Sequence, residues 1–245
     1  IDASHWHSFS FTAASLARMS GAPVTIGHNR GAAWAFHSHP VDVPMPPDGG
    51  WPREVDAKVS LLQPLGIEES VPRTVSLLDG DTAAAAAWWA GGTTDGERSV
   101  LLWPSSRKKV TVLSPESWAA VAEAESAEVP SFFGIGWGPG EAPLAIEIVN
   151  LLSERGLSAR ALPATSLDEL AGYMRSSDLV LSADTGPMHL AGAIGCKVHA
   201  YFRREDGLRW TPPGPRNRIY QADPTVSGRG YRLLATGSRT GWLSR

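Results

Sequence analysis

Between residues 179 and 195 the chain reads Leu179-Val-Leu-Ser-Ala-Asp-Thr-Gly-Pro-Met-His-Leu-Ala-Gly-Ala-Ile-Gly195. The first five residues are an apolar run that predicts a buried strand, and the residues from Pro187 to Ile194 predict a short apolar helix. Proline fits the start of a helix, because the N–H that it lacks would have no intrahelical partner there. The segment is therefore a strand that turns directly into a helix.

The turn between this strand and this helix, Asp184-Thr185-Gly186, has the features of a phosphate site. Glycine lets a ligand approach the backbone closely, and the free N–H groups and positive dipole end of a helix start attract anions. Thr185 adds a hydroxyl donor, and His189 adds an imidazole one turn into the helix. The alternative is an ordinary strand-to-helix turn in which Asp184 only caps the helix.

Strand and helix patterns alternate through the rest of the C-terminal part. We predict strands at residues 99–103, 131–137, 158–162, 179–183 and 197–202. Ser114 followed by Pro115 marks one helix start, the capping box Ser166-Leu-Asp-Glu169 marks another, and Gly156 marks a helix end. Strand–helix units with short loops predict a parallel sheet covered on both faces. Ligands bind such a sheet at the carboxyl ends of its strands.

The first ninety residues are less regular. They predict helices at residues 11–19, 54–63 and 81–90, a short strand at 24–27 and an extended segment at 41–47. The glycine-rich run 91–96 is typical of a flexible connector. We therefore place a domain boundary between residues 91 and 97.

The composition is that of a globular chain. Its 245 residues allow one large domain or two small ones, with 42% hydrophobic and 19% charged residues. The net charge of −3 gives no general attraction to nucleic acid.

The C-terminal region is basic, since residues 203–245 contain nine arginines and only three acidic residues. This region suits an anionic acceptor or an acidic lipid surface, or it is a solvated tail. Arg30 is a second candidate contact for an anionic acceptor, with an ordinary surface arginine as the alternative.

The cysteine count and the hydropathy pattern indicate the cellular location of the protein. The single cysteine, Cys196, excludes an intrachain disulfide and favours a reducing, cytoplasmic location. No apolar run approaches the ~18 residues that a membrane span needs, and no signal peptide is visible. A peripheral position at the inner membrane surface is left open. The His-x-His pairs at 5–7 and 37–39 lack a nearby cysteine or carboxylate cluster, so no metal site is expected.

The eight residues Asp184-Thr185-Gly186-Pro187-Met188-His189-Leu190-Ala191 resemble the signature of glycosyltransferase family 9, which includes the heptosyltransferases of the lipopolysaccharide inner core. The resemblance implies an α/β fold of GT-B type, with two Rossmann-like domains that contain parallel sheets. Residues 1–92 would be the remainder of an incomplete N-terminal, acceptor-side domain, and residues 93–245 the C-terminal domain that binds the nucleotide sugar. In the family this segment holds the diphosphate and sugar of an ADP-linked donor, which makes Asp184, Thr185, Gly186 and His189 donor-binding residues.

The loop after the first strand of the C-terminal part also resembles a donor-binding segment of the family. Ser105 and Ser106 are small hydroxyl donors at a strand end, and Lys108 or Lys109 is a point charge for a phosphate. In the family, small hydroxyl residues and a lysine hold the donor phosphates and sugar at this place. An exposed basic loop is the alternative.

Two further loops resemble family segments that contact the nucleoside. Glu141 follows the glycine-rich turn 136–140 and corresponds to an acidic residue that accepts hydrogen bonds from the ribose hydroxyls. Thr165 and Ser166 lie in a loop that corresponds to the one along the adenine. Helix capping by Ser166 explains that loop equally well.

The chain also departs from the family. Phe202, Asp206 and Trp210 match a family segment, whereas Arg203 and Arg204 stand where the family usually has a Gly-Pro turn. Residues 225–245 do not resemble the long final helix of the family. The aspartate thought to act as general base in the family belongs to a part that would lie upstream of Ile1, so no catalytic residue is assigned.

The resemblance implies a glycosyltransferase that uses no metal and no cofactor, since the ADP-sugar is a substrate. It implies transfer of a heptose or related sugar to a lipopolysaccharide-type or other glycan acceptor. The implied partners are the ADP-sugar donor and an anionic lipid-linked or glycan acceptor, with no nucleic acid. The alternative is a catalytically incomplete nucleotide-sugar-binding module. An NAD-linked oxidoreductase is disfavoured, because no Gly-x-Gly-x-x-Gly follows a predicted strand.

Overall fold

The computed structural model describes residues 1–46, 52–67, 82–106, 113–203, 207–210, 212, 216–222 and 231–236. They form two compact units. The first holds the described residues within Ile1–Val71 and Leu208–Trp210, and the second holds those within Pro72–Gly207 and Thr211–Thr240.

The first unit is built on a small parallel sheet. Its elements in chain order are α1 (Phe11–Met19), β1 (Ile26–His28), α2 (Ala33–Phe36), β2 (His39–Val41), α3 (Glu54–Ser60) and a 3-10 turn (Gln63–Leu65). β1 and β2 are parallel, and Asp2 forms a parallel bridge to Gly27 of β1. Three backbone segments therefore run in the same direction. The cluster of buried Ile26, Val41 and Leu61 lies in this unit.

The second unit is a seven-stranded sheet with helices in the connections. Its elements are α4 (Thr82–Ala90), β3 (Arg98–Trp103), α5 (Pro115–Glu128), β4 (Ser131–Ile135), α6 (Ala142–Glu154), β5 (Ala159–Ala161), α7 (Leu167–Arg175), β6 (Leu179–Ala183), α8 (Gly186–Ala193), β7 (Val198–Phe202), β8 (Arg218–Ala222) and β9 (Tyr231–Thr236), with the short helix α9 (Gly207–Trp210) between β7 and β8 in the chain. The strand order is β5-β4-β3-β6-β7-β8-β9. All neighbours are parallel except β8 and β9, which are antiparallel.

The apolar runs predicted as strands are the buried centre of this sheet. β4, β6 and β7 are buried along their whole lengths, as is β3 after its first residue. Side chains alternate between the two faces of a strand. Phe133 belongs to the cluster that contains Trp118 of α5 and Ile148 of α6. A Cβ on the next residue, Gly134, would lie 2.5 Å from the Trp89 ring of α4. Both faces of the sheet are therefore covered.

Helix ends lie where the sequence predicts them. The Ser114 hydroxyl accepts a hydrogen bond from the Ser117 N–H at the start of α5, with Pro115 in its first turn. The capping box of Ser166 and Glu169 is present at the start of α7. Gly156 follows α6 with a φ of +75°, a conformation that favours glycine after a helix.

Some elements differ from the predictions. The helix expected at 54–63 ends at Ser60, and a 3-10 turn containing Pro64 follows, because proline cannot donate to a continuing α-helix. The strand expected at 131–137 ends at Ile135. α2, β8 and β9 were not predicted. The sheet is also not purely parallel, since β9 adds an antiparallel edge.

The units divide before α4, whereas the sequence placed the domain boundary after it. α4 is held to α7: the Trp89 indole N–H donates to the Tyr173 carbonyl at 3.1 Å, and the Ser176 hydroxyl donates to the Thr82 carbonyl at 3.3 Å. Residues 82–92 thus pack with the second unit, although residues 1–92 were assigned to the N-terminal domain. The acceptor-side and donor-side roles of the two domains stay predictions.

Candidate functional site

The candidate site lies at the carboxyl ends of three neighbouring strands in the second unit. β3 lies between β4 and β6. The chain passes from β3 to β4 on one side and returns to β6 on the other, so the strand order reverses here. In open α/β sheets such a reversal separates the loops and leaves a crevice for a ligand. The loops after β3, β4 and β6 carry Ser105, Glu141 and Asp184, respectively.

Hydrogen bonds join these three loops side by side. The buried Ser105 hydroxyl donates to Glu141 Oε2 at 2.6 Å. The Ser106 hydroxyl donates to the Asp184 carbonyl oxygen at 3.1 Å. Two adjacent serines thus contact the loop after β4 on one side and the loop after β6 on the other. The structure brings Glu141 and Asp184 to the same edge of the sheet, as the sequence predicted.

Glu141 also organises its own glycine-rich turn. Its Oε2 atom accepts a second hydrogen bond, from the Gly138 N–H at 2.9 Å. A Cβ on Gly138 would lie 2.8 Å from that same oxygen, so a side chain at this position would displace the Glu141 carboxylate from its present hydrogen bonds. Both hydrogen bonds are accepted by Oε2, and Oε1 takes part in neither of them. Glu141 as a whole residue is half-buried.

Aromatic side chains support the loop after β4. A Cβ on Gly136 would lie 2.6 Å from the Trp103 ring at the end of β3. The Trp137 indole N–H donates to the Leu162 carbonyl at 2.8 Å and so connects this loop to the one after β5. Sequence reasoning singled out the glycines of this turn but not the tryptophans. Trp103 ends β3 and Trp137 lies two residues beyond β4, and this position at the carboxyl ends of strands was the available signal.

The turn after β6 has the strand-to-helix geometry that the sequence predicts. α8 begins at Gly186, and the preceding Thr185 is extended, with φ −157° and ψ 165°. The Met188 and His189 N–H groups both donate to the Thr185 carbonyl. Pro187 has no N–H, so Gly186 carries the backbone donor of the first two residues of the helix. A Cβ on Gly186 would meet no atom within 4 Å among the described residues.

His189 lies one turn into α8. Burial by the protein around its ring lowers its pKa, and the negative charge of Asp184 opposes this shift. The residue as a whole is nevertheless exposed. Even at its ordinary pKa of 6.5 an imidazole is mostly neutral above pH 7. The ring therefore offers one donor and one acceptor at neutral pH.

The loop after β5 lies next to these loops in the strand order. Ser166 is exposed, and its hydroxyl accepts from the Glu169 N–H at 3.3 Å, while Glu169 Oε2 accepts from the Ser166 N–H at 2.7 Å. The Ser166 side chain is therefore used in helix capping. Thr165, which precedes it, is half-buried.

Other predicted residues lie elsewhere. Lys108 and Lys109, and likewise Arg204, are outside the described residues. Arg203 is exposed directly after β7. Arg30 belongs to the first unit, where its Nε donates to the Trp6 carbonyl at 3.0 Å.

Two features were compared with what metal binding and membrane insertion require: the grouping of metal-ligating side chains, and the length and hydropathy of the helices. Across the described ranges, no group of three or more His, Cys, Asp or Glu residues is arranged to hold a metal ion. The expectation of a metal-independent transfer stays a prediction. In the same part of the chain, no helix is both long and apolar enough to cross a membrane.

Comparison with solved structures defines the class of fold. The glycosyl transferase family 9 protein from Veillonella parvula matches with a TM-score of 0.61 at 17% identity, over 87% of this chain and 60% of that one. E. coli ADP-heptose lps heptosyltransferase II matches with a TM-score of 0.57 at 17% identity, over 91% and 68%. E. coli heptosyltransferase WaaC with ADP matches with a TM-score of 0.51 at 18% identity, over 78% and 56%. The fold is thus α/β, of the GT-B glycosyltransferase type.

A match to a model of a protein family identifies the family of this chain. The model of glycosyltransferase family 9 (heptosyltransferase) matches residues 8–227, so the chain belongs to that family. No curated protein matches the chain. The chain spans 60% of the Veillonella protein and 56% of WaaC.

Proposed function

We propose that the loops after β3, β4 and β6 bind an ADP-linked sugar, and that the chain is the donor-binding part of a glycosyltransferase. The observation that carries this proposal is the hydrogen-bonded row Glu141–Ser105 and Ser106–Asp184 at the carboxyl ends of adjacent strands. Family membership supports it, as does the similarity to WaaC, whose structure contains ADP.

Each group has a proposed task. The Gly186 N–H and the positive end of α8 receive the diphosphate. Glu141 accepts hydrogen bonds from the ribose hydroxyls through Oε1, since Oε2 is engaged by Ser105 and Gly138. Asp184 and His189 contact the sugar, and Thr165 and Ser166 border the adenine. Lys108 or Lys109 contacts a phosphate.

The reaction that this donor site serves is the transfer of a heptose or related sugar. The acceptor hydroxyl oxygen forms a bond to the anomeric carbon, the bond from that carbon to the diphosphate oxygen breaks, and ADP leaves with both electrons of that bond. The hydroxyl proton passes to a base that we do not assign. We propose a lipopolysaccharide-type or other glycan acceptor, and a lipid-linked acceptor would meet the protein at a membrane surface. The reaction needs no metal or other cofactor.

Calorimetric titration tests the donor site. We expect ADP to bind, and Glu141→Ala to weaken its binding by ~1–3 kcal/mol, because a ribose hydroxyl loses its acceptor. Glu147→Ala is the matched control, since Glu147 is an exposed glutamate of α6, the helix that Glu141 precedes. ADP that fails to bind the parent chain, or binds equally to the Glu141 variant, would contradict the proposal.

A turnover assay distinguishes sugar transfer from binding of the nucleotide sugar alone. Release of ADP from ADP-heptose by this chain, with a lipopolysaccharide-core acceptor present, supports the transferase. ADP binding without release supports the alternative, a module that binds the nucleotide sugar and does not catalyse.

A further inference from the structure

Ser105 lies two residues beyond β3, in the first loop of the candidate site. The residue is 5% exposed, and its hydroxyl donates to Glu141 Oε2 at 2.6 Å. A serine hydroxyl has a single proton to donate. In this arrangement that proton is directed to the carboxylate, so Ser105 is not a hydrogen-bond donor to the phosphates of a nucleotide.

The backbone on both sides of Ser105 is held in place. The carbonyl of the buried Pro104 accepts a hydrogen bond from the Trp118 indole N–H of α5 at 3.2 Å. On the other side, the Ser106 hydroxyl donates to the Asp184 carbonyl at 3.1 Å. The Ser105 hydroxyl therefore extends from a backbone that is fixed to the helix α5 and to the turn after β6.

Glu141 has less local support than Ser105. It occupies the N-cap position of α6, yet its side chain makes no capping hydrogen bond within that helix, which the structure describes in full. Its bond from the Gly138 N–H joins two residues of the same turn, three positions apart. The bond from Ser105 spans 36 positions in the chain, so it is this bond that ties the carboxylate to a second strand of the sheet.

Order in the carboxylate before the ligand arrives favours binding. Fixing a long side chain costs conformational entropy, and a group that is already fixed in the free protein does not add this cost to complex formation. The bonds from Ser105 and Gly138 are both accepted by Oε2. With Oε2 held in this way, Oε1 is an acceptor at a defined position.

We propose that Ser105 is a positioning residue, which acts on the nucleotide through Glu141 and not through a contact of its own. Its hydroxyl holds Oε2, and Oε1 then meets the ribose hydroxyls. The proposal rests on the proposed donor site and goes beyond it, because the resemblance to the family implies that the serine hydroxyls hold the donor phosphates and sugar directly. A positioning role and a direct contact predict different responses when the ribose hydroxyls are removed.

Calorimetric titration of ADP and of 2′,3′-dideoxy-ADP, which lacks both ribose hydroxyls, tests this role. We expect Ser105→Ala to weaken ADP binding about fivefold, the usual effect of losing one hydrogen bond. Binding of dideoxy-ADP should stay unchanged, which also shows that the variant is folded. Ser182→Ala is the matched control and should change neither affinity, since Ser182 is a buried serine of β6 whose hydroxyl donates to the Ala183 carbonyl at 3.0 Å.

A double-substitution cycle makes the test specific to the pair. Because Ser105 acts through Glu141, Ser105→Ala should cause no further loss of ADP affinity in a chain that already carries Glu141→Ala. A serine that contacts a phosphate would weaken ADP binding by the same factor in both backgrounds, and it would weaken dideoxy-ADP binding as well.

Either of these two results would overturn the proposal, as would undiminished ADP binding by Ser105→Ala. Failure of the donor site itself is recognised separately. If Glu141→Ala binds ADP as the parent chain does, the donor site is contradicted. If Glu141→Ala weakens ADP binding and Ser105→Ala does not, only the positioning role is overturned.

Discussion

Gly186 shows how much one residue decides at the candidate donor site. Its φ lies outside the left-handed range, so glycine is not required by the backbone conformation. The space beside it is open, and the N–H that it contributes is the helix-start donor of α8. Glycine at this position therefore leaves open space beside its N–H, where the proposed site would receive the diphosphate.

A larger side chain at Gly186 should weaken ADP binding and leave the stability of the fold almost unchanged. We predict that Gly186→Val weakens ADP binding at least tenfold, because its side chain occupies the space that the phosphate must enter. The free energy of unfolding should change by no more than about 0.5 kcal/mol, as at other unstrained surface positions. Gly186→Ala should give a smaller loss of affinity. Calorimetry and urea unfolding measure both quantities, and undiminished ADP binding by the valine variant would place the anion site elsewhere.

The Ser106 hydroxyl bonds to the backbone carbonyl of Asp184, and removal of the Asp184 side chain leaves both of these groups in the protein. We predict that Asp184→Ala lowers the affinity for ADP-heptose by ~1–3 kcal/mol, because the sugar loses a buried acceptor. ADP itself should bind nearly as before. Asp168→Ala, at an exposed residue of α7, is the control. Equal weakening of both ligands in titrations would show that Asp184 only shapes the turn.

The helices and loops around the site are held by short local contacts. α7 begins with a reciprocal capping box, and the Glu169 pKa is lowered by its hydrogen bond from the Ser166 backbone. The loops after β3, β4 and β5 are joined to one another through Glu141 and Trp137. These contacts hold the loops in position before a ligand arrives.

The cap of α7 yields a prediction about stability. Ser166→Ala should lower the free energy of unfolding by ~1 kcal/mol, the usual cost of losing an N-cap side chain. ADP affinity should stay the same if the loop contacts adenine through its backbone. Urea unfolding is the measurement, with Ser153→Ala at an exposed position of α6 as the control. A drop in ADP affinity would instead assign the hydroxyl to the ligand.

A buried polar network joins distant parts of the second unit. His199 of β7 lies 2.6 Å from Glu125 Oε1 of α5, the Tyr201 hydroxyl donates to the same oxygen, and Arg98 of β3 donates to Oε2. Burial would raise the pKa of Glu125, but the hydrogen bonds from His199, Tyr201 and Arg98 outweigh it and leave the pKa lowered. Burial also lowers the pKa of His199, more than Glu125 raises it. The pair is therefore a carboxylate and a neutral imidazole.

Acid should weaken the fold through this pair. Both groups bind fewer protons folded than unfolded, so the free energy of unfolding falls as the pH falls. The His199 contribution begins to be lost below its ordinary pKa of 6.5, and the Glu125 contribution below 4.5. We predict a smaller decline between pH 7 and 5 for His199→Gln, which keeps a donor but does not titrate. Urea unfolding across this range is the measurement, with His39→Gln as the control, and an unchanged decline would contradict the assignment.

Local sequence was sufficient for most elements of the second unit. Buried strands such as Leu179–Ala183 are continuous apolar runs, and the caps at Ser114 and Ser166 act within one turn of helix. β8 and β9 were not predicted, because a strand of alternating burial such as Arg218–Ala222 depends on its neighbours for stability.

The sequence by itself determined the family, the parallel direction of most strands and the edge at which Ser105, Glu141 and Asp184 lie, because strand–helix units with short loops make successive strands run in one direction. The order of the strands and the antiparallel edge became known only from the tertiary structure. Only the tertiary structure decided that Ser105 holds Glu141, that His28 is buried without a partner among the described residues, and that His199 meets Glu125, 74 residues away. These contacts join residues far apart in the chain. Their distances and burial arise only when the sheet and its helices pack together.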